Sequence, residues 1–534
     1  ILIGLVGSEM CIRDSNYTVN SIGDATNHTL DSFFGTDGDR RFYIQGYFNY
    51  DRAFGDHHVG GMLLYNQDEY NSNVNSSLLN SLPKRRMGIA VRAAYDYANR
   101  YLFEFNAGYN GSENFAKGHR FGFFPSVSVG WNISQEKFWE PIRNIVSNFK
   151  IRGSYGLVGN DQVPYTRFLY MGITTLNDSP SYQTGYGSHK ESHNGPTFSR
   201  FENEDMTWEV GHKLNVGADI QLFNSLNLTV DAFREIRSNI LTTKGSIPNY
   251  LGAAKTVIYG NFAKVKNWGV DLAVDYGKQI NRDLSIQFKG TFTFARNRVM
   301  ETDEAADIRP ALSAVGKPLN TLWGYVADGL YIDEAGIANN PTSTLGNITI
   351  AAGDVKYVDQ PDVNGNYDGQ IDSDDRVAIG HPTIPEIIYG FGPSITWKKW
   401  DFSVFFQGQA NVSLMMSGFE PFGTQSKNNV LEWIAEDYWS KENQNPNAKY
   451  PRLTKYNNNN NMQSSTYWLR NAAFLKLKNA EVGYNFKWGR VYMSGTNLLT
   501  FSPFKLWDPE MGGGKGMAYP TQRTFNLGVQ ITFK

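Results

Sequence analysis

The sequence is poor in cysteine and has no long apolar segment. Its single cysteine, Cys11, cannot form an intramolecular disulfide and excludes a metal site built from several cysteines. No run of about 18 apolar residues is present, so a membrane-spanning helix is excluded. This absence does not exclude a membrane, because a spanning β-strand needs only about 9–11 residues of alternating character.

An excess of charge of one sign is also missing. The chain has 50 Lys and Arg against 52 Asp and Glu, which gives a formal net charge of −2. This balance does not favour nucleic acid or a charged membrane surface as a partner. By contrast, aromatic residues make up 14% of the chain, and glycine occurs 52 times. With a length of 534 residues, this composition favours many short strands, either in several domains or in one large β-structure.

Residues 1–15 stand apart from the rest of the chain. Their sequence, ILIGLVGSEMCIRDS, has a short apolar core but neither the basic start nor the small-residue cleavage site of a secretory signal peptide. They resemble translated adapter sequence at the end of assembled environmental reads. We therefore predict that residues 1–15 are a non-native scar and that residues 16–534 form the folded part.

Apolar and polar residues alternate with a period of two in many segments, such as 214–222 and 226–232, which indicates β-strands with one apolar face. The other face is rich in Asn, Gln, Gly, Ser and Asp, which suits a water-filled lumen. A strand of a soluble sandwich more often presents Lys, Glu or Thr to water. Aromatic residues near the strand ends suit the girdles that barrels place at membrane interfaces.

The links between these segments differ in length. Short links at 98–100, 223–225 and 398–400 alternate with long links at 158–205, 301–380, 408–468 and 502–520. Up-and-down barrels have this arrangement, with brief periplasmic turns and extended external loops. The pattern predicts an all-β fold, namely a transmembrane antiparallel β-barrel with long extracellular loops, to which this chain contributes roughly 14–16 strands.

Two stretches of the link at 408–468 have a character of their own. Residues 429–440 are predicted to contain a helix. Residues 457–461 are all asparagine, and this low-complexity polar tract is predicted to have no fixed structure.

The last segment of the chain shows the alternation best. An alternating strand that ends in an aromatic residue is typical of the assembly signal of outer-membrane barrels, although here one lysine, Lys534, follows that residue. The alternative interpretation is an ordinary sheet strand. The apolar face that would carry the signal consists of Phe525, Leu527, Val529, Ile531 and Phe533.

Short motifs follow one another in a fixed order along most of the chain. They lie at residues 101–104, 121–131, 149–156, 159–160, 208–209, 215–217, 450–452, 474–479, 483–484, 497–499 and 508–510. In this order they resemble the SusC/RagA family of TonB-linked outer-membrane proteins. The order makes the resemblance specific, because no single motif would suffice.

The resemblance implies a barrel of about 22 strands in the Gram-negative outer membrane, in contact with lipid and filled by an N-terminal plug. It also implies energy delivered through TonB, a SusD-like lipoprotein over the outer mouth, and oligosaccharides or, in some members, peptides as substrates. The plug, the TonB box and the first strands have no counterpart in this sequence, so we expect a C-terminal fragment.

An acidic stretch at residues 362–375 has the spacing of an EF-hand-like calcium loop around Gly369. Calcium prefers six to eight oxygen ligands, which this spacing can gather around one point. Asn at the first position and Asp at the last depart from the usual Asp and Glu. A turn-rich acidic loop without a metal is the alternative. The candidate ligands, in order, are Asn364, Asn366, Asp368, Gln370, Asp372 and Asp375.

Catalytic motifs are absent from the sequence. It has no HExxH zinc motif, no G-x-S-x-G nucleophile elbow and no P-loop. This absence predicts no enzymatic activity, and the resemblance to the SusC/RagA family implies TonB-dependent import of large nutrients, chiefly oligosaccharides. A secreted all-β carbohydrate-binding protein and an outer-membrane enzyme with active external loops are the alternatives. Five aromatic residues in the predicted loops could stack on sugars or pack within the loops. Because both interpretations stay open, no substrate-binding residue is assigned. The five residues are Trp433, Trp439, Tyr467, Trp468 and Trp507.

Overall fold

The computed structural model describes residues 38–73, 78–162, 167–247, 258–306, 308–418, 430–454 and 457–533. The predicted scar at residues 1–15 lies outside these ranges. Over the described ranges, the helices are α1 Leu78–Ser81, α2 Glu334–Ala338 and α3 Glu432–Glu436, together with 3-10 turns at Ile133–Gln135, Lys137–Ile142, Ser373–Asp375 and Pro509–Met511. None of the helices in this part of the chain is long and apolar enough to cross a membrane.

Strands account for most of the regular structure. In chain order they are β1 Asp39–Phe54, β2 His57–Ser72, β3 Lys84–Tyr97, β4 Tyr101–Ser112, β5 Phe121–Asn132, β6 Val146–Asn160, β7 Ile173–Thr184, β8 Glu191–Arg200, β9 Glu209–Leu222, β10 Leu226–Thr243, β11 Tyr259–Asn281, β12 Leu284–Glu301, β13 Leu322–Gly324, β14 Ala327–Leu330, β15 Thr342–Ser343, β16 Val355–Tyr357, β17 Gln370–Ile371, β18 Val377–Ile379, β19 Ile387–Trp397, β20 Trp400–Ala410, β21 Ser413–Met415, β22 Leu469–Asn471, β23 Phe474–Phe486, β24 Gly489–Phe501 and β25 Thr524–Ile531.

Fifteen of these strands form one sheet, in the order β1-β2-β3-β4-β5-β6-β9-β10-β11-β12-β19-β20-β23-β24-β25. Within this sheet, each strand pairs antiparallel with the sheet strand that follows it along the chain, as β1 does with β2, β6 with β9 and β24 with β25. The sheet is therefore an up-and-down meander. Its strand number agrees with the sequence prediction.

The apolar face of this sheet is open along its length. Phe48 in β1 is 78% exposed, Val129 in β5 is 56% exposed and Leu527 in β25 is 78% exposed. In a soluble sandwich, such side chains would be buried against a second sheet. An exposed apolar band of this extent favours contact with lipid over contact with water.

Short turns join the strands at one end of the sheet. In the turn between β3 and β4, Ala98 and Asn99 have φ values of 52° and 55°, and Phe223 and Asn224 have 53° and 52° between β9 and β10. Two consecutive positive φ angles are the mark of a type I′ turn, whose twist matches that of the flanking strands. The predicted short links at these two places are confirmed.

Long connections lie at the opposite end and fold together. We call the described parts of residues 302–386, 411–473 and 502–523 the loop unit. Its core has two clusters of buried residues: Val412, Leu414, Met416, Ile434, Tyr450, Trp468, Ala472 and Phe504 in one, and Tyr325, Leu330, Val355, Tyr357, Ile371, Trp439 and Ala448 in the other. The first cluster joins the connection at 411–473 to the connection at 502–523. The second cluster joins the connection at 302–386 to the connection at 411–473. Helix α3 falls within the predicted helical stretch.

Candidate functional site

The polar face of the sheet is lined by ion pairs that cross between strands. Arg152 on β6 donates to Asp219 on β9 at 3.2 Å and to Asp231 on β10 at 2.6 Å. Near the short-turn end, Arg490 on β24 pairs with Asp401 and Glu481 on the two preceding long strands. Charges paired in this way fit a wall that faces water.

A glycine creates the room for one of these networks. A Cβ atom on Gly217 would lie 2.8 Å from Cζ of Arg152 and closer still to Oδ1 of Asp231. Because Gly217 has no side chain, the Arg152 guanidinium and the Asp231 carboxylate can meet directly over the backbone of β9.

The polar face of β1 alternates tyrosine and amide side chains. Tyr43, Gln45, Tyr47 and Asn49, which we call the tyrosine–amide strip, share a face with Arg41, and the Tyr43 hydroxyl donates to Gln45 Oε1 at 2.6 Å. Tyr43 and Tyr47 are 50% and 60% exposed. Ring faces next to amide donors and acceptors can bind ligands that combine apolar C–H faces with hydroxyls.

The centre of the loop unit is the buried carboxylate of Asp354, which is fully inaccessible. Arg452 donates to both of its oxygens, at 2.7 and 2.9 Å, and the amides of Asn458 and Asn461 donate at 2.9 and 3.0 Å. Because Asp354 lies in the first connection and its partners in the second, this network joins the two.

The prediction that the asparagine tract has no fixed structure is wrong. Asn458, Asn460 and Asn461 are buried, and Asn460 accepts from Ser343 while donating to the Val355 carbonyl. An asparagine amide offers both donors and acceptors, so a run of them can satisfy a buried polar network. Composition alone does not reveal partners that lie about a hundred residues away in the sequence.

The aromatic loop residues serve the packing of the loop unit. Trp439 and Trp468 are only 6% and 2% exposed. Trp433, Tyr467 and Trp507 pack as partly buried residues against the first cluster. Of the two interpretations that the sequence left open, loop packing is the one that the structure supports for these residues.

A buried lysine fastens the third connection of the loop unit to the sheet. Lys476 on β23 has no exposed surface; its ammonium donates to Asp508 at 2.7 Å and also to Glu510. Burial raises the pKa of Asp508, but the hydrogen bonds and charge of Lys476, with the Glu510 N–H, lower it more, so the net shift is downward. The ionised carboxylate is thus stabilised in the fold.

The predicted calcium ligands do not share one environment. Asn364, Asn366, Asp368 and Gln370 are exposed, Asp372 is partly exposed and Asp375 is buried. The backbone N–H groups of Asn364 and Asn366 donate to the Asp362 carboxylate at 2.8 and 2.9 Å. Within the described ranges, no group of three or more His, Cys, Asp or Glu side chains is arranged to hold a metal ion.

A second buried carboxylate, Asp359, lies beside Asp375. Asp375 accepts from the Gln360 N–H and from the Asp372 N–H, each at 2.7 Å, and Asp359 Oδ2 accepts from the Gly369 N–H at 2.9 Å. Burial above all, then the charges of Asp359 and Asp372, raise the pKa of Asp375 against the lowering effect of its N–H donors. Asp359 lies outside the segment that aligns on Gly369, so the spacing of that segment does not point to it.

The predicted assembly signal lies at one end of the sheet order. Among the strands that the structure describes, β25 pairs with β24 alone, and the apolar side chains of this last segment are open, with Phe525 64% and Phe533 90% exposed. This placement is compatible with the predicted role, which stays a prediction.

Comparisons with known proteins agree with this architecture. Residues 12–498 match the model of the family described as TonB dependent receptor-like, beta-barrel. TonB-dependent receptor P3 of Formosa agariphila is 26% identical over 83% of this chain and 45% of its own length. TonB-dependent receptor SusC of Bacteroides thetaiotaomicron is 24% identical over 83% of this chain and 43% of its own length. The chain thus spans less than half the length of these two relatives.

The fold is also similar to that of a solved structure. The structure described as the RagAB peptide transporter matches with a TM-score of 0.69 and 21% sequence identity, over 93% of this chain and 56% of that chain. At this level of identity the match supports the fold.

Proposed function

Because the chain belongs to the TonB-dependent receptor-like β-barrel family of the outer membrane, we propose that it forms wall and outer loops of an importer for large nutrients. The observation that carries this proposal is the fifteen-stranded meander, whose apolar face is open and whose opposite face is lined by ion pairs. Such a wall separates lipid from a watery lumen. Import of this kind needs no reactive side chain, and the relatives named above are receptors rather than enzymes.

We further propose that the whole protein takes its energy from TonB and works with a SusD-like lipoprotein at its outer mouth. The matches to SusC and to RagAB support both parts of this proposal. The loop unit supports the second part, since its two buried clusters and the Asp354 network give the mouth a fixed surface on which a partner can dock.

Oligosaccharides are the proposed substrate class. The tyrosine–amide strip on β1 supports them, because exposed rings can stack on sugar faces while Gln45 and Asn49 bind hydroxyls. Peptides are the second candidate, supported by the match to a structure described as a peptide transporter.

Uptake by living cells tests the proposal. A strain without the gene should lose growth on one defined oligosaccharide mixture and regain it with the wild-type gene. Tyr47→Ala should lower uptake severalfold, while Tyr50→Ala, which changes the same residue type on the opposite face of β1, should leave it near wild type. Undiminished growth of the deletion strain on every oligosaccharide and peptide supplied would refute import.

The secreted carbohydrate-binding alternative makes a different prediction. A lectin of that kind stays in solution without detergent, because its apolar strand faces meet in a dry core. A barrel of this family needs detergent and migrates faster on a gel before it is boiled. Measuring both properties on the purified protein separates the two functions.

A further inference from the structure

The loop unit contains one buried carboxylate oxygen that has no partner. Asp359 is only 7% exposed, and its Oδ1 atom makes no hydrogen bond. The Gly369 N–H holds the other oxygen, Oδ2, at 2.9 Å, so the carboxylate is fixed against the 368–370 turn. A buried acceptor without a donor is costly, and it indicates a group that the protein atoms do not supply.

A second buried carboxylate, that of Asp375, lies close to Asp359. Asp375 accepts from the N–H of Gln360, the peptide next to Asp359, at 2.7 Å. The backbone of Asp372 donates to its other oxygen, so the Ser373–Asp375 turn is closed by a reciprocal cap. Two buried carboxylates are thereby brought close together, a setting that favours a bound positive charge.

We propose that Asp359 and Asp375 bind a divalent cation, with Ca²⁺ as the expected ion. Calcium accepts carboxylates, backbone carbonyls and water in a flexible shell, so two carboxylates suffice when main-chain oxygens and water complete it. We expect the turn at 368–370, which contacts Asp359 through the Gly369 N–H, to supply a main-chain oxygen such as the Gln370 carbonyl. Because this ligand set has only two acidic side chains, it does not require a cluster of three, and no such cluster is present within the described ranges.

The proposal changes the register predicted from the sequence. The first ligand becomes Asp359 instead of Asn364, and residues 360–367 loop out between it and the turn at 368–370. Asn364 and Asn366 are exposed, and the Asp362 side chain already organises their backbone as a turn. Gly369, with φ of 74°, keeps its place at the sharp bend, where the left-handed region favours glycine.

A bound cation would hold together three parts of the loop unit. Asp359 follows β16, which pairs with β14; Gln370 begins β17, which pairs with β15; and Asp375 precedes β18, which pairs with β13. These short strands have only two to four residues each, so local pairing alone stabilises them weakly.

Ion binding to the full protein in detergent, stripped with EDTA, tests the proposal. Tb³⁺ is the first probe, because Tyr325 and Tyr357 near the site can sensitise its luminescence, and Ca²⁺ is then added as competitor. Asp359→Asn should raise the Kd for Ca²⁺ about tenfold or more, because an amide N–H₂ replaces the free oxygen. Asp333→Asn, an acid at the start of α2, is the matched control and should bind as wild type.

Two further variants decide between the registers. Asn364→Ala and Asn366→Ala should leave the Kd unchanged if Asp359 and Asp375 hold the ion. Loss of binding in these variants with normal binding in Asp359→Asn would overturn the proposed ligand set. Absence of any saturable Ca²⁺ binding to the wild type would overturn the site itself.

Thermal unfolding separates binding from a purely structural role. In EDTA, Asp359→Asn should unfold at the wild-type temperature, because asparagine can still accept from the Gly369 N–H. Added Ca²⁺ should raise the unfolding temperature of the wild type and not that of the variant. An equal rise in both proteins would refute the role of Asp359 as a ligand. This test is independent of the proposed import.

Discussion

At the scale of single residues, Asp354 is the side chain on which the loop unit most depends. We expect Asp354→Ala to lower the free energy of unfolding of this unit by about 3 kcal/mol, because Arg452 loses its partner in a largely buried site. Hydrogen exchange at the backbone N–H of Val355 measures the effect.

Asp333 provides a matched control for this substitution. Its side chain caps α2 at the surface, so Asp333→Ala should cost only about 1 kcal/mol. Equal exchange rates at Val355 in the two variants would contradict the central role of Asp354.

Gly217 allows a second test of a single position. We expect Gly217→Ala to destabilise the sheet by about 1–3 kcal/mol, since the added methyl overlaps the Arg152–Asp231 pair. Gly46→Ala is the control, because a Cβ there has no atom within 4 Å. The temperature at which the folded gel band converts to the unfolded one should fall only for Gly217→Ala. A fall of the same size in both variants would show that the loss of glycine, and not the pair, matters.

At the scale of elements, the connection at 502–523 should respond to pH through Asp508. The folded state lowers the pKa of this carboxyl below its ordinary value of 3.8. Its contribution to stability is therefore complete at neutral pH and is lost as the pH falls through the folded pKa. Hydrogen exchange in residues 502–523 should accelerate at acid pH below that ordinary value.

Lys476 and Lys478 separate this effect from general acid unfolding. Lys476→Met should accelerate exchange in the connection already at neutral pH, because Asp508 and Glu510 lose their buried partner. Lys478→Met should change it less, since this lysine is partly exposed and, among the described residues, pairs with Glu510 alone. A stronger effect of Lys478→Met would argue against the buried lysine as the fastening point.

Elements differed in how far the sequence could predict them. The strands could be predicted from the sequence, because the alternation of apolar and polar residues is a local signal. In residues 214–222 of β9 and in β25, where one face is apolar, this alternation is uninterrupted. The buried environment of the asparagine tract and of Asp359 could not be predicted, because it depends on partners that only the fold brings close. Asn458 meets Asp354 across 104 residues of sequence.

At the scale of the whole molecule, the membrane environment gives the broadest prediction. We expect the full protein to leave the outer membrane only with detergent, since residues such as Phe48 and Leu527 have no protein cover in the sheet. Fractionation with and without detergent, followed by gel migration before and after boiling, measures this. Recovery of the folded protein in buffer alone would contradict it.

The sequence also anticipated the class of the molecule. Alternation together with the order of motifs identified the fold and the family, and the family match confirms both. The expected plug, the TonB box and the calcium loop stay predictions, because none of them follows from the residues that form the sheet.

The position of the two buried clusters has a consequence for temperature. The loop unit gains stability by removing apolar side chains from water, and that gain weakens on cooling. The apolar face of the wall would lie against lipid, while hydrogen bonds between its strands hold it together. In the cold, the mouth of the protein should therefore loosen before its wall does.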